Sequence, residues 1–326
     1  MKRACISLLI PVIFLAACGG GSSTVNNPAA PPPPGFVITP TNGLQVAGVA
    51  SGSVVSSGDV AGLVGNTGLT AGGSDGLDKP TLNSQPGHTL ISVLQKIPFG
   101  PLTLDCAAAG SFTVSGELEN PPTFTAGDTI VAEYTNCDDG LGEVLDSTLN
   151  FVVGAFTGDI FTGIYDMTMT MDLVDFQVTT DADVVMANGD GTATLNTLAA
   201  PYVEASVSGN LMTTDTNSGS ETLTTYSSAQ TLDAGLDPAL YTMVASGTLD
   251  SSQLPGAIDY STPVMFQGFD SDYPHIGELL VSGDSSSIRL TAVDNVDVLI
   301  EIYSNAAGTG TPDDTISTTW AELAAL

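Results

Sequence analysis

Basic residues are almost missing from this chain. Its 326 residues hold five Lys or Arg against 36 Asp or Glu, a formal net charge of −31. A surface so one-sided repels phosphate backbones, and nucleic acid is excluded as a partner. Histidine is nearly as scarce: His88 and His275 stand far apart, and neither has the spacing of a metal ligand. One tryptophan and a 6% aromatic share furnish a sugar-stacking cleft poorly. No P-loop, dinucleotide fingerprint or EF-hand loop is present. No Gly-x-Ser-x-Gly elbow is joined to a histidine partner, which leaves a hydrolase triad without support. These absences set the expectation of a protein that is not an enzyme and carries no cofactor.

What the chain does have is acid and apolar residues together. At 42% hydrophobic it buries a core and is no disordered acidic tail. The excess acid reads as solvation in salty surroundings, where screening cancels self-repulsion. The alternative is a field that gathers divalent cations or a basic partner. Asp138-Asp139, Asp181 with Asp183, and Asp313-Asp314 carry the oxygen donors for weak calcium binding on loops. Each reads first as a wet turn.

The first 17 residues have the order of a secretory signal: Lys2 and Arg3, then an apolar run from Ile6 to Ala17. That run is interrupted by Pro11 and falls short of the roughly 20 apolar residues of a spanning helix. Its end, Leu15-Ala16-Ala17-Cys18, resembles the lipobox of bacterial lipoproteins. The resemblance implies cleavage before Cys18, a diacylglyceryl group on its thiol and an acyl chain, typically palmitate, on its amino group. Several acyl chains meet the rule that stable anchoring needs more than one. Gly19 and Gly20 carry no inner-membrane retention signal in that family, so the implied address is the outer membrane, facing periplasm or cell surface. Loss of Lys2 and Arg3 leaves three basic residues against 36 acidic ones, a net charge of −33. Residues 18–40, with Gly19 to Ser23 and Pro31 to Pro34, read as a tether of flexible coil and stiff polyproline II.

Four cysteines then resolve by role. Cys5 leaves with the signal and Cys18 takes lipid, so Cys106 and Cys137 remain as a pair in an oxidising compartment. A disulfide between them would contribute roughly 3–4 kcal/mol through loop closure.

Residues 41–326 read as one β-rich domain. Asn42 and Gln45 have the form of a capping box opening a helix near 43–56, followed by a flexible loop over 57–87. A second short helix is expected over Leu90–Ile97, stopped by Pro98. From about residue 111 the period becomes two: Leu145, Ser147, Leu149, Phe151 and Val153 share one face, as do Val296, Val298, Ile300 and Ile302. Turn signals occur at Asn188-Gly189-Asp190-Gly191, Ser208-Gly209-Asn210 and Gly283-Asp284-Ser285. Thr319-Trp320-Ala321-Glu322 marks a terminal helical turn with a second capping box. The predicted fold is mainly β, a large curved or barrel-like antiparallel sheet of about a dozen strands. Short helices stand before it and a helical turn after it. Cys106, Tyr134-Thr135-Asn136-Cys137 and Thr319-Trp320-Ala321-Glu322-Leu323 resemble segments of β-rich lipoproteins of Gram-negative bacteria, a likeness that brings no activity with it.

One stripe is unusual. Met167, Met169 and Met171 alternate with Thr168 and Thr170. Methionine adapts to variable apolar ligands, and such a face suits a carrier of lipid or another apolar ligand. The plainer reading, and the one expected, is core filler beneath the N-terminal helices. The functional expectation is a membrane-anchored envelope protein with a binding or structural role and an unknown envelope partner. A lipid carrier is the alternative.

Overall fold

A computed structural model describes residues 36–65, 69–71, 80–82 and 101–326, apart from 107, 121–122, 139–142, 160–161, 181–183, 216–218 and 270–271. Over 55–82 it describes backbone alone. Cys18 and the expected helix at Leu90–Ile97 lie outside these residues.

Helix α1 is Gly43–Gly65, and β1 (Leu69–Ala71) pairs with β2 (Pro80–Leu82) in a small antiparallel ladder. The expected loop over 57–87 is therefore partly helix and partly strand. Then come β3 (Leu102–Asp105), β4 (Ala109–Glu117), β5 (Thr129–Asp138), β6 (Glu143–Asp159), β7 (Ile164–Thr180), β8 (Val184–Asn196) and β9 (Tyr202–Asp215). The series continues with β10 (Gly219–Asp233), β11 (Leu240–Ser251), β12 (Ile258–Phe269), β13 (Ile276–Ser282), β14 (Ser287–Ala292), β15 (Asp297–Tyr303) and β16 (Asp314–Thr319). Helix α2 (Trp320–Ala324) ends the chain. Strands β3 to β16 form one 14-stranded antiparallel sheet whose spatial order is the chain order. The sheet does not close into a barrel. Its edges are the short β3 and β16, and short edges limit unwanted pairing with other chains.

Alternation decides which face is dry. Tyr165, Met167, Met169, Met171 and Leu173 are buried while Thr170 and Asp172 between them are exposed. Register carries the dry face from strand to strand: Leu149 opposes Leu173, Leu211 opposes Leu223, and Leu249 opposes Ile258. Helix α1 lies on this face, packing against β8 to β11 and β13 to β15 and burying Val46, Ala47, Ala50 and Val54. Its several glycines each cost about 1 kcal/mol relative to alanine in a helix, so its shape depends on that packing. The expected capping box at its start does not form. The Asn42 carboxamide turns back to accept from the Thr39 N–H (2.7 Å), and Gln45 Nε2 donates to the Gln253 carbonyl (3.1 Å). Phe36 and Ile38 are buried and the Ile38 N–H donates to Ser286 Oγ, so the folded part already includes the last residues assigned to the tether.

Two of the three expected turns are strand interior. Asn188 to Gly191 lies within β8 and Ser208 to Asn210 within β9, with Gly191 directly opposite Gly209. The glycines serve close approach instead of reversal: a Cβ on Gly209 would stand 2.1 Å from the Asp190 carbonyl oxygen. The asparagines secure bulges on neighbouring strands. Asn188 accepts from the Asp175 N–H (2.8 Å) and Asn210 from the Thr225 N–H (3.1 Å). Asp175 and Thr225 have positive φ, and the register shifts beside each of them. Bulges increase twist and bend a strand, which strands of 13–17 residues need if neighbours are to stay paired. The third signal holds, for the Gly283 N–H donates to the Ser286 carbonyl between β13 and β14. So does the terminal box, where Thr319 Oγ1 accepts from the Glu322 N–H and the Glu322 carboxylate accepts from the Thr319 N–H.

Candidate functional site

The dry face of β7 holds the methionine stripe. Met167 and Met169 have no solvent exposure and Met171 has 5%. Met169 lies between Val153 on β6 and Ala193 on β8, and Met171 between Phe151 and Gly191. The Met171 methyl reaches within 3.2 Å of where a Gly191 Cβ would stand, so glycine leaves the room that the long thioether fills. Large and small residues alternate across this face in the same way at Tyr226, Gly247 and Tyr260, where a Gly247 Cβ would stand 2.9 Å from the Tyr260 hydroxyl. The arrangement is that of a packed interior.

A polar latch interrupts it, and sequence reading missed it. Glu221 on β10 accepts from Ser53 Oγ of α1 and Ser251 Oγ of β11, each at 3.3 Å. Ser53 and Ser251 are both 1% exposed. The latch ties helix to sheet at a place where both are built of small residues. No local signal marks it, because Ser53 and Glu221 are 168 residues apart in sequence. Burial also raises the phenol pKa values of Tyr165, Tyr226 and Tyr241 well above their ordinary value. Tyr134 is pushed up to about 12 for the same reason. These phenols stay neutral, and hold a proton, throughout the physiological range.

Cys106 and Cys137 are joined in a disulfide, with Cα atoms 5.4 Å apart. It links the segment between β3 and β4 to the end of β5, beside Asn136 at φ 45°. His275 is half-buried, its ring stacked on Phe269 at 5.2 Å and its N–H donating to the Gln267 carbonyl. His88, Asp139, Asp181 and Asp183 lie outside the described residues. Asp313 accepts from the Ser304 N–H, closing the β15–β16 connection, and Asp314 accepts from the Thr315 N–H at the start of β16, so both carboxylates bind backbone. Asp128, 3% exposed, does the same for the loop before β5, accepting from the backbone of Glu119 and Thr125. Among the described residues no group of three or more His, Cys, Asp or Glu is placed to hold a metal ion.

The chain matches no family model, no curated protein and no solved structure. Its reading therefore rests on its own residues.

Arg289 is the one Lys or Arg among the described residues, and it is held on both sides. Nη1 lies 3.4 Å from the Glu278 carboxylate, and Nη2 donates to the Gly308 carbonyl at 2.9 Å. Glu301 is its direct neighbour across the ladder on β15. The cation pins the β15–β16 connection onto the wet face of β13 and β14.

Proposed function

We propose that this protein is a lipid-anchored lipoprotein of the bacterial envelope with a binding or structural role and no catalysis of its own. The observation that carries the reading is Leu15-Ala16-Ala17-Cys18, joined through a Gly- and Pro-rich tether to a broad antiparallel sheet. A diacylglyceryl-modified Cys18 would place that sheet outside the cytoplasm, in the compartment that suits the Cys106–Cys137 disulfide. The acid surface suits a wet, salt-screened setting.

Burial of Met167 and Met169 supports the stripe as core, which sets the lipid carrier behind the binding or structural role. The test is Cys18→Ala in a Gram-negative host, followed by fractionation and labelling with a palmitate analogue. Loss of label together with release from the membrane fraction is expected. A Cys18→Ala protein that stays in the membrane fraction would overturn the anchoring. Native mass spectrometry of the wild-type protein decides the second part: a stoichiometric, non-covalent lipid would reinstate the carrier.

A further inference from the structure

In a meander, alternate hairpins emerge at the same end. One end of this sheet carries the β4–β5 connection and, beyond it, the β6–β7, β8–β9, β10–β11, β12–β13 and β14–β15 connections. In or beside each of the last five a large apolar side chain faces solvent: Ile164 at the start of β7, Leu198, Leu236, Phe269 at the end of β12, and Val293, between 39% and 59% exposed. Successive hairpins stand roughly 10 Å apart, twice the strand spacing, so these tips form a crest.

The crest is built. Thr197 Oγ1 donates to the Gly163 carbonyl (2.8 Å), tying the β6–β7 connection to the β8–β9 connection. The Ala234 N–H donates to the Pro201 carbonyl, tying the latter to the β10–β11 connection. Tyr241 hydroxyl donates to the Asp272 carbonyl (3.0 Å), and Trp320 Nε1 reaches both the Pro274 and Asp294 carbonyls, at 3.1 and 3.3 Å. The described residues of these five connections are thus linked in one row, and a held surface loses little entropy on binding.

Charge accompanies the apolar tips with one sign. Asp159 at the end of β6 and Asp237 and Asp294 on the connections are exposed, and no Lys or Arg stands among the crest's described residues. The chain enters the fold at the other end, where the Asp284 N–H donates to the Phe36 carbonyl in the β13–β14 turn. The crest is the end remote from the tether's attachment.

We infer that this crest is a docking surface for a basic protein segment bearing apolar side chains. Apolar tips supply the contact, and the interleaved carboxylates select a cationic partner and repel an anionic lipid surface. The inference rests on the reading of the protein as a tethered binding module and names the face that binds.

The test uses the full-length protein and a synthetic peptide of alternating Leu and Lys, with a Leu/Glu peptide as its counterpart. The Leu/Lys peptide should bind, more weakly as salt rises, and the Leu/Glu peptide should not. Leu198→Ser, Leu236→Ser and Val293→Ser together should weaken binding by about tenfold or more, the scale of a lost hot spot. Val152→Ser with Met212→Ser, equally exposed on the wet sheet face, should leave it unchanged. Equal binding by wild type and the crest variant would overturn the proposal. So would crest-dependent binding to phosphatidylcholine vesicles without peptide binding, which would assign the crest to a membrane. Cys18→Ala protein should give the same peptide titration, so failure of the crest and failure of the anchor are read separately.

Discussion

The sheet has two halves built by different means. Strands β6 to β10 run 13–17 residues, with register shifts on β6, β7 and β10. Strands β13 to β16 run 6–7 residues and pair with one another without a shift. The dry face of the long half sets Met, Tyr, Ala and Gly among its Leu, Val and Phe; that of the short half is chiefly branched aliphatic, with Leu279, Val281, Ile288, Leu290, Ile300 and Ile302. A short twisted strand keeps its register unaided, and branched aliphatic side chains pack it directly. A long one drifts out of register with its neighbour, so bulges take up the twist, and glycines beside large flexible side chains fill the altered spaces.

Alkali should divide the halves most sharply. Tyr165, Tyr226 and Tyr241 on β7, β10 and β11 have phenols raised by burial, with nearby Tyr260, Asp190 and Asp272 adding to the latter two. In the short half Tyr303 is raised by desolvation and by Glu301. A phenol raised in the folded state favours folding while protonated. Its contribution is complete below the unfolded value of about 10 and is lost as pH climbs towards the folded value. Above pH 10, amide protection relative to the unfolded chain should therefore fall in β7–β11 before β13–β15. The reverse order would break the comparison.

Core truncation comes next. Met169→Ala and Ile300→Ala should each cost about 2–5 kcal/mol by chemical denaturation, since both side chains are fully buried. Met167 and Met171 on the same face, with adaptable side chains that can shift into the space, should place Met169→Ala at the lower end. A near-neutral Met169→Ala accompanied by lost binding of an apolar probe would return the stripe to the carrier. Breaking Cys106–Cys137 with paired serines should cost roughly 3–4 kcal/mol, read in the same denaturant series. Gly209→Ala should cost about 1–3 kcal/mol or more, because its Cβ meets the backbone of β8. Gly154→Ala, whose nearest contact would be 3.4 Å, should cost far less and serves as the control. Smallest is Thr319→Ala, about 1 kcal/mol for the lost cap; its thermal shift should be slight, with α2 fraying first in amide exchange.

The sequence by itself determined the strands, the dry and wet faces, the terminal cap and the cysteine pair. Each of these is written within a few residues: alternation is a period of two, a cap spans four positions, and two cysteines remained after the others were assigned. Leu145 to Val153 and Tyr165 to Leu173 needed no partner to declare which side is apolar. Tertiary structure decided what depended on a second strand. Asn188-Gly189 and Ser208-Gly209-Asn210 carry turn chemistry, yet their glycines admit an adjacent backbone and their asparagines secure bulges on the next strand. The Ser53–Glu221–Ser251 latch, the crest of hairpin tips and the open edges at β3 and β16 are also products of pairing order. A residue's own neighbours in sequence cannot specify them, because the groups that give them meaning arrive from strands far along the chain.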